Sequence, residues 1–372
     1  ATLPAMSVQT VTFQSERANL KNWRAFETEI EGPESGEVLI RIDHFALTAN
    51  NITYGVAGDS IGYWQFFPAD DPWGCIPVWG FGEVIDSAHP EVPVGERLYG
   101  YFPMGTHLKI KPERISRGGL VDGAEHRSSL PPVYNQYTRV AADPAYDSER
   151  EAEQMLYRPL FTTSFFLDDF LLDNDFFAAG NVILTSASSK TSLGLAHLLH
   201  KNRHEQCRVI GLTSAGNRAF VESLGCYDSV YSYEEVSQLP LEPSVMVDMA
   251  GSGSVRAAVH GHLTDSLKYS CAVGATHWDA AMVGAGDQAL PGPQPEMFFA
   301  PSQIQKRLAE WGQEKFNVLM AEAWQVFLAV SADWITVDAQ QGLDALAATY
   351  QAFLDGQADP ARGNVISLQT DH

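Results

Sequence analysis

Near residue 158 the periodicity of the chain changes, and no other feature constrains its fold as tightly. Beyond that point short apolar runs alternate with stretches of helical spacing. Asn181-Val182-Ile183-Leu184-Thr185, Arg208-Val209-Ile210-Gly211-Leu212, Ser244-Val245-Met246-Val247-Asp248 and Tyr269-Ser270-Cys271-Ala272-Val273-Gly274 read as buried strands. Residues 192–200 and 217–224 read as helices between them, the second closed by Gly225 as a C′ residue. Apolar strands separated by helices make βαβ units, and hence a parallel sheet with both faces covered. Each run ends in small or polar residues, where such a sheet presents its ligand-binding edge. Before residue 158 the chain is β-rich, with strands expected over 37–42, after the turn Gly32-Pro33, and over the glycine-punctuated 78–85, then a turn and strand over 94–100. After the Gly/Pro-rich stretch 284–295, helices are expected over 303–311, 315–330 and 343–354, and strands over 333–337 and 364–368.

A chain of 372 residues suits two domains. The periodicity predicts an α/β protein in which residues 158–322 form the parallel-sheet domain, while residues 1–157, completed by 323–372, form the other. With 46 acidic and 24 basic residues the formal charge is -22. Such a field repels nucleic acid and anionic membrane surfaces, and neither is expected as a partner. It leaves room for an anionic cofactor, because backbone N–H groups and one or two local cations can build a phosphate site. No run of eighteen apolar residues offers a membrane span, and the N-terminus lacks the basic and apolar regions of a secretory signal. Cys75, Cys207, Cys226 and Cys271 are scattered, without CxxC spacing or a Cys/His cluster. Free thiols in a reducing cytoplasm are the simplest expectation, and no metal site is expected.

The turn after the first strand of the parallel sheet is Ser186-Ala187-Ser188-Ser189-Lys190-Thr191-Ser192-Leu193-Gly194. A dinucleotide-binding Rossmann turn needs small residues so that the backbone approaches a pyrophosphate on the helix N-terminus. The three fingerprint positions are Ser186, Ser189 and Ser192. Serine donates through its hydroxyl and N–H, but its Cβ costs approach distance and disfavours positive φ. Lys190-Thr191 is not a phosphate loop, since Ser189 and Leu184 stand where that motif needs glycines. Lys190 reads either as a phosphate contact or as a solvated lysine at a helix start. After the second strand come Thr213-Ser214-Ala215-Gly216-Asn217-Arg218, with no carboxylate to hold a ribose 2′-OH. Hydroxyls, an amide and an arginine suit a 2′-phosphate, so NADPH is expected in preference to NADH. The competing reading is an ordinary turn with Ser214 as N-cap.

Taken together these residues resemble the quinone-oxidoreductase-like branch of the medium-chain dehydrogenase/reductase superfamily, within a subgroup that carries a serine-rich nucleotide loop. Residues 78–99, with Gly95-Glu96-Arg97-Leu98, are similar to that family's GroES-like barrel. Phe161-Thr162-Thr163-Ser164 resembles its entry to the nucleotide domain, and Leu224-Gly225-Cys226-Tyr227-Asp228 its turn after the second helix. Val247-Asp248-Met249-Ala250-Gly251 and Ala272-Val273-Gly274 resemble its later strand ends, and residues 356–368 the strand that closes its barrel. The resemblance implies a GroES-like β-barrel plus a Rossmann doubly wound parallel sheet. It implies NADPH as cofactor, held by Thr163, Ser186, Ser188, Ser189, Lys190, Thr191, Ser192, Thr213, Ser214, Asn217, Arg218, Gly274 and His277. Zinc-dependent members carry a Cys in the segment corresponding to Ala46-Leu47-Thr48-Ala49-Asn50-Asn51; this chain has none. Residues 114–157 are longer than the family's stretch and imply a reshaped pocket.

Without zinc, hydride transfer to a carbonyl compound needs a donor for the atom that gains electron density. Tyr54, Tyr63 and Tyr137 are the candidates, and each has a second reading as a packed tyrosine with a satisfied hydroxyl. His277-Trp278, after the fourth strand at its binding edge, read as contacts to the nicotinamide end or the substrate, with a structural histidine as the alternative. Trp64-Gln65-Phe66-Phe67 and Phe298-Phe299 fit an apolar substrate pocket, with core packing as the alternative. The leading expectation is a zinc-free, NADPH-dependent oxidoreductase of an enone, quinone or apolar carbonyl compound, for which a homodimer is an allowed assembly. The alternative is a non-redox lyase or hydrolase of a carbonyl compound on the same fold, with its cofactor site lost or repurposed; a binding protein that keeps the fold is a third.

Overall fold

The computed structural model describes residues 7–273 and 289–370. It divides into two compact units, one of residues 1–156 with 335–372 and the other Tyr157–Trp334.

In the second unit the strands lie in the order Ser229–Ser232, Arg208–Thr213, Asn181–Leu184, Ser244–Asp248, Leu267–Ala272, Glu296–Met297, each parallel to its neighbours. In chain order this is 3-2-1-4-5-6, the doubly wound arrangement, with its switch point between Asn181–Leu184 and Ser244–Asp248. The first strand is buried along its whole length, as the apolar run requires. The helix Lys190–Asn202 that follows it buries Leu193, Leu195, Ala196, Leu198 and Leu199. Gly194 lets it approach the helix Glu151–Asp173: a Cβ there would stand 2.7 Å from Ser164 Oγ, which itself donates to Thr191 O at 2.8 Å. Gly225 takes the left-handed conformation expected of it, φ 74°.

In the first unit the hairpin Val8–Glu16 with Asn19–Ile30 pairs with the short strand Trp73–Gly74. The larger sheet runs Thr336–Gln341, Arg362–Ser367, Val38–Leu47, Pro77–Ser87, Arg97–Pro103, Gln136–Arg139, Gly119–Asp122, Pro112–Glu113, with His107–Ile110 also on Val38–Leu47. Val38, Ile40, Ile42, Val78, Val84, Leu98 and Ile366 form its core, onto which the helix Leu343–Leu354 packs Leu346 and Tyr350. Val365 pairs with Ala46, so the last strand belongs to this sheet.

The second boundary lies at 334/335, not at 322/323. A cut at 322 would divide the helix Gln313–Ser331, whose Trp324, Phe327 and Leu328 are buried. Phe161 stacks on Phe327 at 5.0 Å and meets Trp324 edge-on at 5.4 Å, tying the whole helix to the parallel-sheet unit. The first boundary falls inside the 23-residue helix Glu151–Asp173. Pro159 within it disguises that helix in the sequence, because proline removes a donor and ordinarily interrupts a helix.

Candidate functional site

The chain leaves the first parallel strand through Ser186, a non-glycine residue at φ 48°. It thus keeps the left-handed turn that glycine usually supplies, at a steric cost. Three bonds hold it there: Ser186 N–H donates to Tyr233 Oη at 3.0 Å, Ala187 N–H to Leu212 O at 3.0 Å and Ser189 N–H to Ser186 O at 2.8 Å. Tyr227 adds its hydroxyl to Ala187 O at 2.9 Å. Ser189 caps the helix, accepting from Ser192 N–H. Ser192 is buried and donates to Thr185 O at 3.1 Å, so it braces the turn. Among the described residues no acceptor meets the N–H groups of Ser188, Lys190 and Thr191. That is the arrangement by which a helix N-terminus receives a phosphate. Lys190 is half-buried, no described carboxylate pairs with it, and burial brings its amine down to about 8.

The second loop meets the first. Asn217 Nδ2 donates to Ser188 Oγ at 3.2 Å. Thr213 is buried at the strand end, and Ser214 is exposed at the start of a 3-10 turn, where its side chain makes no cap bond. Arg218 does not stand open as the sequence suggests. It donates to Glu222 at 2.9 Å and is bound by Glu235, which also anchors Ser232. Glu235 reaches this place from beyond the third strand, a neighbour that local reading of residues 213–218 could not supply. Thr163 is half-buried on the helix Glu151–Asp173. Gly274 and His277, with Trp278, lie outside the described residues.

At the switch point the sequence reading missed a buried network. Thr185 donates to Asp248 Oδ1 at 2.7 Å and accepts from the N–H groups of Met249 and Ala250 at 2.9 and 3.1 Å. Gly251 N–H also reaches Asp248 Oδ1, and Arg256 Nε donates to Oδ2, both at 3.2 Å. Burial makes such a network rigid only when every member is satisfied, as here. It clamps the ends of the first and fourth strands beside the turn. The only sequence signal was Asp248 closing an apolar strand.

In the other unit Tyr54 and Tyr63 come together, with ring centroids 4.2 Å apart. Tyr54 lies on the helix Ala49–Val56, and Tyr63 begins the 3-10 turn Tyr63–Gln65. The Tyr63 and Tyr134 hydroxyls are 3.5 Å apart. Burial holds the Tyr54 phenol well above its usual pKa, with Tyr134 and Tyr99 adding to the effect. The Tyr54 phenol therefore keeps its proton at neutral pH, as a donor must. Tyr137 does not join them. Its hydroxyl donates to Tyr101 O at 2.6 Å and accepts from Arg127 at 2.8 Å. It is 1% exposed, and burial pushes it up to about 12, so its hydroxyl is enclosed and already engaged on both sides. Arg127 also donates to Asp122, Asn135 and Tyr134 O, and this buried fork fixes the long segment that carries Tyr134. Phe66 and Phe67 belong to the same apolar cluster, whereas Trp64 packs into the barrel core.

Among the described residues no three His, Cys, Asp or Glu side chains are grouped to hold a metal ion, and no helix is long and apolar enough to cross a membrane. Residues 45–359 match a family described as "Protein of unknown function (DUF2855)". Comparison with curated proteins finds no match. Among solved structures the chain is similar to CurA from Vibrio vulnificus in complex with NADPH, at 14% identity over 98% of this chain and 100% of that one, TM-score 0.59. It is similar to S. aureus TarJ in complex with NADPH, at 10% identity over 98% and 100%, TM-score 0.56. It is also similar to the quinone oxidoreductase from Coxiella burnetii, at 12% identity over 97% and 100%, TM-score 0.52. At such identities the likeness speaks for the fold, a GroES-like domain with a Rossmann domain. The chain therefore belongs to the DUF2855 family, and its fold is that of these solved structures.

Proposed function

We propose that this chain is a reductase that takes hydride from NADPH and reduces an enone, quinone or other apolar carbonyl compound without zinc. One observation carries the reading: the serine turn at the switch point offers three N–H groups and a lysine that have no acceptor or ion-pair partner among the described residues. The fit to a dinucleotide pyrophosphate lies in that donor set. Two solved structures of this fold hold NADPH, and another is a quinone oxidoreductase.

When bound, the nicotinamide supplies a hydride equivalent. The N–H groups of Ser188, Lys190 and Thr191 and the Lys190 amine receive the pyrophosphate. Ser186, Ser189 and Ser192 hold the turn in shape, and Thr213, Ser214, Asn217 and Arg218 form the side toward the adenosine 2′-phosphate. Thr163, Gly274 and His277 are further cofactor contacts in this proposal. Tyr54 or Tyr63 gives a proton to the reduced acceptor. The unit Tyr157–Trp334 is assigned to nucleotide binding, and the tyrosines of the other unit to the acceptor.

The test is a titration of the protein with NADPH and with NADH, followed by tryptophan fluorescence. NADPH is expected to bind more tightly. Equal affinities would remove the 2′-phosphate assignment. Binding of neither would overturn the reductase reading in favour of non-redox chemistry on the same fold.

A further inference from the structure

Tyr101 lies on the strand Arg97–Pro103 and is 0% exposed, yet its hydroxyl has no hydrogen-bond partner among the described residues. A buried hydroxyl left unpaired is costly, and native structures rarely tolerate one without a role. Its setting is unusual in a second way. Five aromatic rings surround it, with centroids at 4.9 Å for Tyr134, 5.0 Å for Trp79, 5.2 Å for Phe66, 6.3 Å for Phe67 and 6.4 Å for Tyr54. Tyr54, Tyr134 and Tyr63 belong to the same cluster, and burial holds the Tyr101 phenol well above its usual pKa, with the phenols of Tyr54, Tyr134 and Tyr63 adding to the effect. The closest pair among them, Tyr63 and Tyr134, is at the outer limit of a hydrogen bond, 3.5 Å.

Clustered phenolic donors inside aromatic walls match one ligand chemistry: a flat conjugated molecule with an oxygen that accepts hydrogen bonds and gains negative charge. A cationic ligand fits less well, because the Arg127 guanidinium already lies over the rings of Phe66 and Phe67. Of the rings around Tyr101, those of Tyr54, Trp79 and Tyr134 are half-buried and so keep some solvent contact, and on this proposal they are the side chains that turn to admit the ligand. We propose that Tyr101 donates the hydrogen bond that fixes the carbonyl oxygen of a planar quinone or enone held among these rings. The ligand class rests on the reductase reading; the site rests on the orphan hydroxyl and its neighbours.

The probe is menadione, titrated without nucleotide and followed by quenching of tryptophan emission, for the parent, Tyr101→Phe and Trp79→Phe. In Tyr101→Phe the dissociation constant should rise about five- to tenfold, the loss of one hydrogen bond. The melting temperature of that variant should hold or rise, because it removes an unpaired buried hydroxyl. In Trp79→Phe part of the quenching should disappear, which locates the quinone beside Tyr101 independently of the first variant. Undiminished quenching in Trp79→Phe, or equal affinity in Tyr101→Phe, overturns the proposal, as does a parent that does not bind menadione. A parent that binds menadione through Tyr101 but binds no NADPH overturns the reductase reading alone. A parent that binds NADPH but not menadione overturns this site alone.

Discussion

Lys190 shows how one residue can work against the fold and for a ligand. Burial has brought its amine down to about 8, below the ordinary lysine value, so the charged form costs stability at neutral pH. That cost is relieved as pH rises through the folded value, where the folded state sheds the proton before the unfolded chain does. Lys190→Met should therefore raise the melting temperature near pH 7 and weaken NADPH by about 1.5–3 kcal/mol, the worth of a hydrogen bond to a charged group. The parent's affinity should decline between about pH 8 and 9 while that of the variant stays flat. Melting curves and fluorescence titrations across that range check both, and unchanged NADPH affinity in the variant would remove Lys190 from the site. Arg218 poses the opposite case, a cation already engaged by Glu222 and Glu235. Glu235→Gln should release it and tighten NADPH without changing NADH. Arg218→Ala should weaken NADPH and spare NADH. Parallel titrations of the two nucleotides decide it, and an equal change for both would detach Arg218 from the 2′-phosphate.

Among the described residues, the segment before the first parallel strand holds the longest run of left-handed residues. Asp175, Phe176, Phe177 and Ala178 run in succession at φ 50°, 50°, 54° and 58°, a left-handed turn built without glycine. Each such residue costs roughly 1–2 kcal/mol. The return is aromatic: Phe177 stacks face to face on Tyr269, centroids 3.9 Å apart at 4°, and Phe176 is buried. Ala178 contributes no ring, so Ala178→Gly should stabilise the protein by about 0.5–1 kcal/mol after the larger entropy of glycine is set against the relieved strain. Urea denaturation measures this, and a lower midpoint in the variant would mean that the Ala178 methyl packs more than it strains.

For the molecule as a whole, the boundary at 334/335 makes a prediction about folding. Trp324, Phe327 and Leu328 are each buried, and burial of one such side chain contributes roughly 1.5–3 kcal/mol. Losing all three removes an amount comparable with the net stability of a domain, about 5–15 kcal/mol. Residues 157–334 expressed alone should fold cooperatively and bind NADPH, whereas residues 158–322 should show no cooperative melting transition. Circular dichroism on both fragments tests it. A cooperative transition in the shorter fragment would show that the helix Gln313–Ser331 is dispensable to this unit.

Strands and their order of appearance are written locally, which is why they were legible. Wholly apolar runs such as Val245-Met246-Val247 must be covered on both faces, and helical spacing between them leaves a parallel sheet as the economical solution. The small-residue turn at 186–192 and the C′ glycine Gly225 announce themselves in the same way, because their chemistry depends on residues a few positions away. Side chains whose partners arrive from elsewhere could not be read. Asp248 meets Thr185 across 63 positions, and Tyr137 is claimed by Arg127 and the Tyr101 carbonyl. Glu235 closes Arg218 across 17. Tyr101, silent in the sequence, stands among rings from four separate stretches of chain. Periodicity decides which face of an element is apolar, but only the order in which the sheet sets its strands decides whose hydroxyl, carboxylate or guanidinium each polar side chain will meet.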